Sequence, residues 1–440
     1  MSRDRCRDDH PLTFVQEALW LSEQFAVGTP PYVESWAQRL RGHLDADALV
    51  LALKRIRDRH PALRSQFVLE DDRLVQRVRH DADLVVERVD AQGEDSGDAL
   101  RRAAQRPIDI SETTLRVVLL KLAHDDHVLL VQCHHIVVDD HSFDLLSREI
   151  EALYTAAVGG QAVEPPAPGS TVGRYAADQR ARGIPESSLA YWTRYLDGAE
   201  PLPAFPPAGR ALPTRHDNRC GRVTERVDAD VARRVQKRAR ALRTTPTVVL
   251  LASLGMTLAA SAGVEDVVMG HPVSQRGPAG LDRVFGCFTD TMPLRLRALP
   301  GSTFGELCGS VKRDVISALR HRDVPWAHVA RHLPHTPGML PGEGLIRVVM
   351  VVEEPTPLTL PGLTCERVPV VPAGVKFDWF VDVVAEAGGY TCHVDYAADS
   401  FTPDEATRAL RQWTRTLAEV SDDPDLTVAA LGRTFAAEPA

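Results

Sequence analysis

The chain has 440 residues, 44% of them hydrophobic and 25% charged, with a formal net charge of −9 at pH 7. That length exceeds one ordinary domain and suits two or three with buried cores. The mild acidity speaks against a nucleic-acid surface, whose phosphates demand a clustered positive field.

The first clear element in chain order is a helix over 45–60, with Leu49, Leu53 and Ile56 at helical spacing and Asp45 placed to cap it. Strands are expected within 72–90. LRVVLLKL at 115–122 and HVLLVQC at 127–133 read as two strands of a hairpin joined by AHDD, and a helix follows over 141–157. Segments 159–170 and 200–215 are rich in Pro, Gly and Ala and read as loops or crossings, with a short helix at 186–197 between them. A lobe boundary is expected near 180–200, which divides the chain into 1–185 and 186–440.

The second half repeats the grammar of the first. Helices are expected at 228–243 and 246–262, the second buried, then strands at 265–272, 345–353 and 376–384 and a last helix at 403–420. Mixed strand and helix in each half implies two α/β (α+β) lobes, with no short-period repeat. Seven scattered cysteines (Cys6, Cys133, Cys220, Cys287, Cys308, Cys365 and Cys392) form no C-x-x-C pair and read as reduced thiols, giving a cytoplasmic expectation. The start, MSRDRCRDDH, has no apolar core of a signal peptide. The longest apolar stretch, Val248–Ala260, falls short of a membrane span and is interrupted by Ser253 and Thr257, so no membrane partner is expected.

The chemically informative segment runs Cys133-His134-His135-Ile136-Val137-Val138-Asp139-Asp140-His141-Ser142, where a strand ends and a helix begins. Side chains alternate along a strand, so His134 and His135 point to opposite sides, and one can face a cavity while the other packs. Asp139 lies across a turn that can return its carboxylate towards the pair. Three readings stand side by side: a structural His pair beside a helix cap, a metal site using His135, His141 and an Asp, and an imidazole that moves a proton near neutral pH.

Other segments bear on that choice. Arg59-His60-Pro61-Ala62-Leu63-Arg64-Ser65-Gln66-Phe67, Gly270-His271-Pro272-Val273-Ser274-Gln275-Arg276 and Phe285-Gly286-Cys287-Phe288-Thr289-Asp290-Thr291-Met292-Pro293-Leu294-Arg295 follow the motif set R-H-x-x-L-R-T-x-F, G-x-P-V-x-x-R and G-x-F-V-N-T-x-x-x-R. With His134, His135 and Asp139 in register with H-H-x-x-x-D-G, and weaker echoes at Gln16, Trp20, Tyr175-Ala176, Asp323-Val324-Pro325-Trp326 and Lys376-Phe377-Asp378, the sequence resembles the condensation domains of nonribosomal peptide synthetases, in the chloramphenicol acetyltransferase-like superfamily.

The resemblance implies two acetyltransferase-like lobes in a V-shaped pseudo-dimer, with a tunnel between them and His135 at its middle. It implies no tightly bound cofactor. Substrates arrive as thioesters on the 4'-phosphopantetheine of peptidyl or acyl carrier proteins, and an amine, or an alcohol, attacks the donor carbonyl. His135 is then the catalytic candidate, as general base or as a positioning group. His134 and Asp139 support it, and Arg276 is the expected ion-pair partner of Asp139. Arg64 is expected in a structural ion pair and Trp20 in the core.

The sequence departs from the pattern in places. Asp140 stands where the motif has glycine, either to cap the following helix or to shape the tunnel and attract a cationic acceptor. His141 stands where an aromatic is usual and, like Asp140, is a candidate for shaping the tunnel or selecting the acceptor; Ala18 replaces an arginine and Asp290 an asparagine, and the late R-D-x-S-R motif is not recognisable in 330–345. A non-catalytic platform for carrier proteins or tailoring enzymes is the competing function, and retention of His135 favours catalysis. The chain reads as a free-standing enzyme or an excised domain, and the single condensation unit with a polar N-terminal arm favours the free-standing form.

Overall fold

The computed structural model describes residues 8–26, 28–81, 83–161, 163–203, 217–277, 280–333 and 344–437. Local chemistry sets the first elements. Asp45 accepts the amides of Asp47 and Ala48 and opens the helix Ala46–Arg59, which turns Leu49, Ala52, Leu53 and Ile56 inward. Thr13 and Gln16 form a capping box that starts a helix at Phe14–Phe25. The expected hairpin forms from Leu115–Ala123 and Asp126–His134, paired antiparallel.

Two larger sheets organise the molecule. The first has five strands, in the order Leu363–Arg367, Val33–Gly42, Asp126–His134, Leu115–Ala123 and Val86–Asp90. Val33 lies opposite His134 in its register, so the motif sits at the very end of a central strand. The second has six, in the order Thr289–Arg297, Asp266–Ser274, Val348–Glu353, Trp379–Glu386, Gly389–Ala397 and Cys220–Asp228. A small third sheet joins Asp9–His10, Arg73–Val78 and Ser65–Glu70.

Each large sheet has its own hydrophobic core. The helix Pro246–Ala262 is buried without a break from Val248 to Ala259, which explains its uniformly apolar text. The two lobes are not independent, because Leu363–Arg367 leaves the second half of the chain and pairs with Val33–Gly42 in the first. Phe285 and Phe288, from the second half, also pack into the first lobe's core. The two-lobed mixed α/β architecture expected from the sequence is present.

The expected strands at 345–353 and 376–384 begin three residues later than expected, at Val348 and Trp379. Most of the loop expected at 200–215, and most of the segment 330–345, lie outside the described residues. No single described helix is long and apolar enough to cross a membrane.

Candidate functional site: a histidine at the wall of an inter-lobe cavity

The strand Asp126–His134 runs directly into a short 3-10 turn, His135–Val137, and then into the helix Asp140–Val158. This sharp change of direction turns the two histidines into different environments. His134 is fully buried. Its Nδ1 accepts the Ile136 amide at 3.1 Å, so its proton sits on Nε2. That nitrogen faces the Glu23 carboxylate at 3.3 Å without hydrogen-bond alignment.

His135 is held differently. Its amide donates to the Tyr32 carbonyl at 2.7 Å, and its Nδ1 lies 2.8 Å from the Val138 carbonyl. A carbonyl only accepts, so Nδ1 carries the proton and donates. In the neutral ring, the lone pair is then on Nε2, which has no partner among the described residues. The ring lines a cavity of about 840 Å³ whose walls come from both lobes, including Tyr32 and Asp140 from the first and Trp326, Lys376 and Asp382 from the second. Gln16 fixes the turn from outside by donating to the Ile136 carbonyl at 3.0 Å.

Asp139 lies behind the motif. Its carboxylate accepts the Ser142 amide at 2.9 Å, the Ser142 hydroxyl at 2.7 Å and the Phe288 amide at 3.1 Å. Arg276 completes the set, with Nη2 at 2.8 Å and Nε at 3.3 Å. Both side chains are nearly inaccessible, at 2% and 8% exposure. The same guanidinium donates to the Val284 and Gly286 carbonyls and sits 4.3 Å from the Phe288 ring centroid. Arg276 is thus no solvated loop charge but the link between the motif turn and the second-half loop. Gly286 is required there, because a Cβ would collide with Val172 and the Phe288 ring.

Three sequence expectations need correction. Asp139, not Asp140, caps the helix: its side chain accepts the Ser142 amide, and Asp140 is the first helical residue. Asp140 instead is exposed to the space of the cavity. Desolvation by the surrounding cavity walls, with Glu353, Glu34, Asp139 and Asp382 nearby, raises its carboxyl pKa well above the ordinary value. His141 does not line the cavity; its Nε2 donates to the Asp282 carbonyl at 2.8 Å. With His135 Nδ1 already on Val138, the His135–His141–Asp metal reading loses its geometry, and no metal-competent group of ligands occurs among the described residues. Arg64 makes no ion pair among the described residues and donates to the Arg79 carbonyl at 3.0 Å.

Other sequence echoes have clear places. Trp20 packs against the first lobe's core. Asp290 accepts the Trp326 and Thr291 amides at 2.7 and 2.8 Å, tying two cavity segments together, and burial raises its carboxyl. Lys376 Nζ lies 5.8 Å from the Tyr32 ring centroid, across the cavity wall from the His135 turn. Burial pushes the Cys133 and Cys287 thiols up, away from thiolate chemistry. Sequence reading did not single out Glu23, Glu34, Glu353 or Asp382. Only Asp382 left a signal, as a lone carboxylate inside the apolar run WFVDVV.

Comparisons with known proteins follow the same outline. The chain is 30% identical over 96% of its length to the phosphinothricin tripeptide synthetase PhsC of Streptomyces viridochromogenes. It is 29% identical over 95% of its length to the nonribosomal peptide synthetase kk1B of Curvularia clavata. It spans only 40% and 3% of those relatives' own lengths. Among solved structures, the X-domain from teicoplanin biosynthesis superposes with a TM-score of 0.84 at 26% identity, covering 96% of both chains. The first condensation domain of the CDA synthetase shares the fold, with a TM-score of 0.83 at 21% identity over 97% of this chain and 98% of that one. The condensation-domain family model matches residues 6–438, which places this chain in the condensation-domain family.

Proposed function

We propose that this protein joins an acyl or aminoacyl group, delivered as a carrier-protein phosphopantetheine thioester, to an amine in nonribosomal peptide or related natural-product biosynthesis. The observation that carries this reading is the set of the His135 ring: Nδ1–H held on the Val138 carbonyl and Nε2 without a partner among the described residues at the cavity wall. An α-ammonium group is not a nucleophile. It loses one proton to solvent, the free amine attacks the thioester carbonyl, the C–N bond forms as the nitrogen passes a second proton to Nε2, and the C–S bond breaks. The departing thiolate takes up the proton that the imidazole gained. No cysteine or serine carries the acyl group, because the thioester arrives activated, and the raised Cys133 and Cys287 thiols support that.

His134, Asp139 and Arg276 hold the turn in this reading, and Asp140 faces the substrates. Residues 1–185 supply the first lobe and 186–440 the second, with Leu363–Arg367 crossing back. The six described cysteines are free thiols, which supports a cytoplasmic setting. An alcohol acceptor would use the same nitrogen and give an ester.

The test is mass spectrometry of products formed from carrier-bound acyl donors and a panel of amines and alcohols. His135→Ala is expected to lower turnover by roughly 10²–10⁴-fold, the usual contribution of a positioned acid–base group. Equal rates for the two proteins would end the assignment of His135. A second reading, a recruitment platform, is favoured by one observation: the teicoplanin X-domain was also solved in complex with OxyB. It predicts partner binding that survives His135→Ala, with no product from either protein.

A further inference from the structure

The helix Phe14–Phe25 does more than line the cavity; it also grips the histidine motif. Gln16 and Glu23 are two helical turns apart, so they lie on one face of that helix. Gln16 Nε2 donates to the Ile136 carbonyl at 3.0 Å. Glu23 turns its carboxylate to His134 Nε2 at 3.3 Å, and His134 Nδ1 accepts the Ile136 amide at 3.1 Å. Both polar groups of the Ile136 backbone are thus held from the same helix, one directly and one through an imidazole. The Ile136 amide belongs to the peptide that leaves His135, so its direction bears on how the His135 ring meets the cavity.

Glu23 has no other task in view. On the same helix Glu17 pairs with Arg180, whereas the only basic side chain that Glu23 meets among the described residues is His134. Glu23 Oε2 and His134 Nε2 are both sealed from solvent, and neither has a hydrogen bond to any other described residue. Folded proteins rarely leave such groups bare, and the last torsion of a glutamate is soft enough to align this pair. A carboxylate only accepts, so it favours the proton on the nitrogen that faces it. That choice leaves the Nδ1 lone pair for the Ile136 amide.

We propose that Glu23 is a positioning residue for acyl transfer: it holds the His134 proton on Nε2, keeps Nδ1 open to the Ile136 amide and so fixes the aim of His135. This deepens the acyl-transfer reading and rests on it. Glu23 itself does not line the cavity, although Ser22 and Phe25 beside it do.

The test compares wild type with Glu23→Leu, which removes the acceptor at similar volume, and Glu23→Gln, which keeps an acceptor oxygen without the charge. Each is checked by thermal melting for intact folding. With the donor and amine of the panel that wild type turns over fastest, Glu23→Leu is expected to lower kcat about tenfold at near-wild-type KM, the equivalent of one buried hydrogen bond. Glu23→Gln is expected to recover most of that loss. Ring carbon and nitrogen chemical shifts of His134 in histidine-labelled protein read the tautomer without any chemistry, and a merely structural role for Glu23 leaves them unmoved. Wild type and Glu23→Gln are expected to show the Nε2–H form, and Glu23→Leu a share of the Nδ1–H form. Wild-type kcat in Glu23→Leu, an unmoved tautomer there, or a loss in Glu23→Gln as deep as in Glu23→Leu overturns the proposal. An Nδ1–H signal from wild type overturns it without any variant. If no protein makes product but the tautomer follows Glu23, acyl transfer is wrong while the hold on the motif stands.

Discussion

His134 and Asp139 on the back of the motif, and His135 and Asp140 on its front, are sequence neighbours with opposite surroundings. On the back, Asp139 receives donors from Ser142, Phe288 and Arg276. His134 has Nδ1 on a backbone amide and Nε2 facing Glu23. On the front, His135 keeps Nε2 without a partner among the described residues, and Asp140 opens onto the cavity with Glu353, Glu34 and Asp382 among its charged neighbours. The difference separates two kinds of work. Saturated groups fix geometry, and unsaturated groups in a cavity are left for substrates. Back substitutions should therefore lower stability first, and front substitutions should lower chemistry first.

The largest stability effect should come from the back. Asp139→Ala leaves the Arg276 guanidinium buried at 8% exposure without its carboxylate. Loss of one partner of a buried pair costs about 3–5 kcal/mol. Urea denaturation of Asp139→Ala, Arg276→Ala and the double variant should show the double falling well short of the sum. Full additivity would mean that the two residues do not act as a pair.

Gln16→Ala should come next, at about 1–3 kcal/mol, because it strips the donor from the buried Ile136 carbonyl. Turnover is expected to fall as well, since that carbonyl belongs to the turn that aims His135. Wild-type turnover at reduced stability would show that the turn keeps its shape without this support.

Gln16 also shows what the sequence disclosed. The motif H-H-x-x-x-D marked a turn, and its two histidines do part, but through the 3-10 turn that begins at His135 rather than through alternation along one strand. The Asp139–Arg276 pair, 137 positions apart in sequence, was legible only through resemblance, because no local periodicity encodes a tertiary ion pair. The helix cap was misplaced by one residue. Asp139 and Asp140 are equally good capping types, and only the backbone, with Asp139 extended at φ −136 and ψ 174, decides which one accepts the amide. Glu34 and Glu353 were illegible for another reason. Charged residues near strand ends usually face water, and nothing local shows that the opposite lobe roofs them over. Leu363–Arg367 was unreadable as part of the first lobe, since its pairing partner lies more than 300 residues earlier.

The pH dependence of stability sharpens the front of the comparison. Burial and Glu353 push the Asp382 carboxyl up to about 8. The native state then binds that proton more tightly than the unfolded chain, whose carboxyl titrates near 3.9. Stability from this group is complete below about pH 4 and is lost as pH rises towards 8. His393, on the adjacent strand, is pushed down to about 4 by burial and Arg222. Its contribution is lost as pH falls from about 6.5 to 4, where the unfolded ring takes the proton first. Melting temperatures across pH 4–9 should show Asp382→Asn flattening the alkaline slope and leaving the acid slope intact. An unchanged alkaline slope would place the titration elsewhere.

His141 gives the smallest effect and the sharpest boundary between front and back. Its position beside Asp140 made it a candidate for choosing the acceptor. Its ring instead ends on the Asp282 carbonyl, in the same second-half loop that Arg276 braces. One neutral hydrogen bond at a half-buried position contributes about 1 kcal/mol, so His141→Ala should lower stability by about that much. Because the ring does not line the cavity, the order of preference across an amine panel should stay as in wild type, even if every rate falls slightly as the loop loosens. The same panel run on Asp140→Asn should reorder the amines. If His141→Ala reorders them too, the cavity extends behind the helix start and the division between the two sides of the motif fails at that residue.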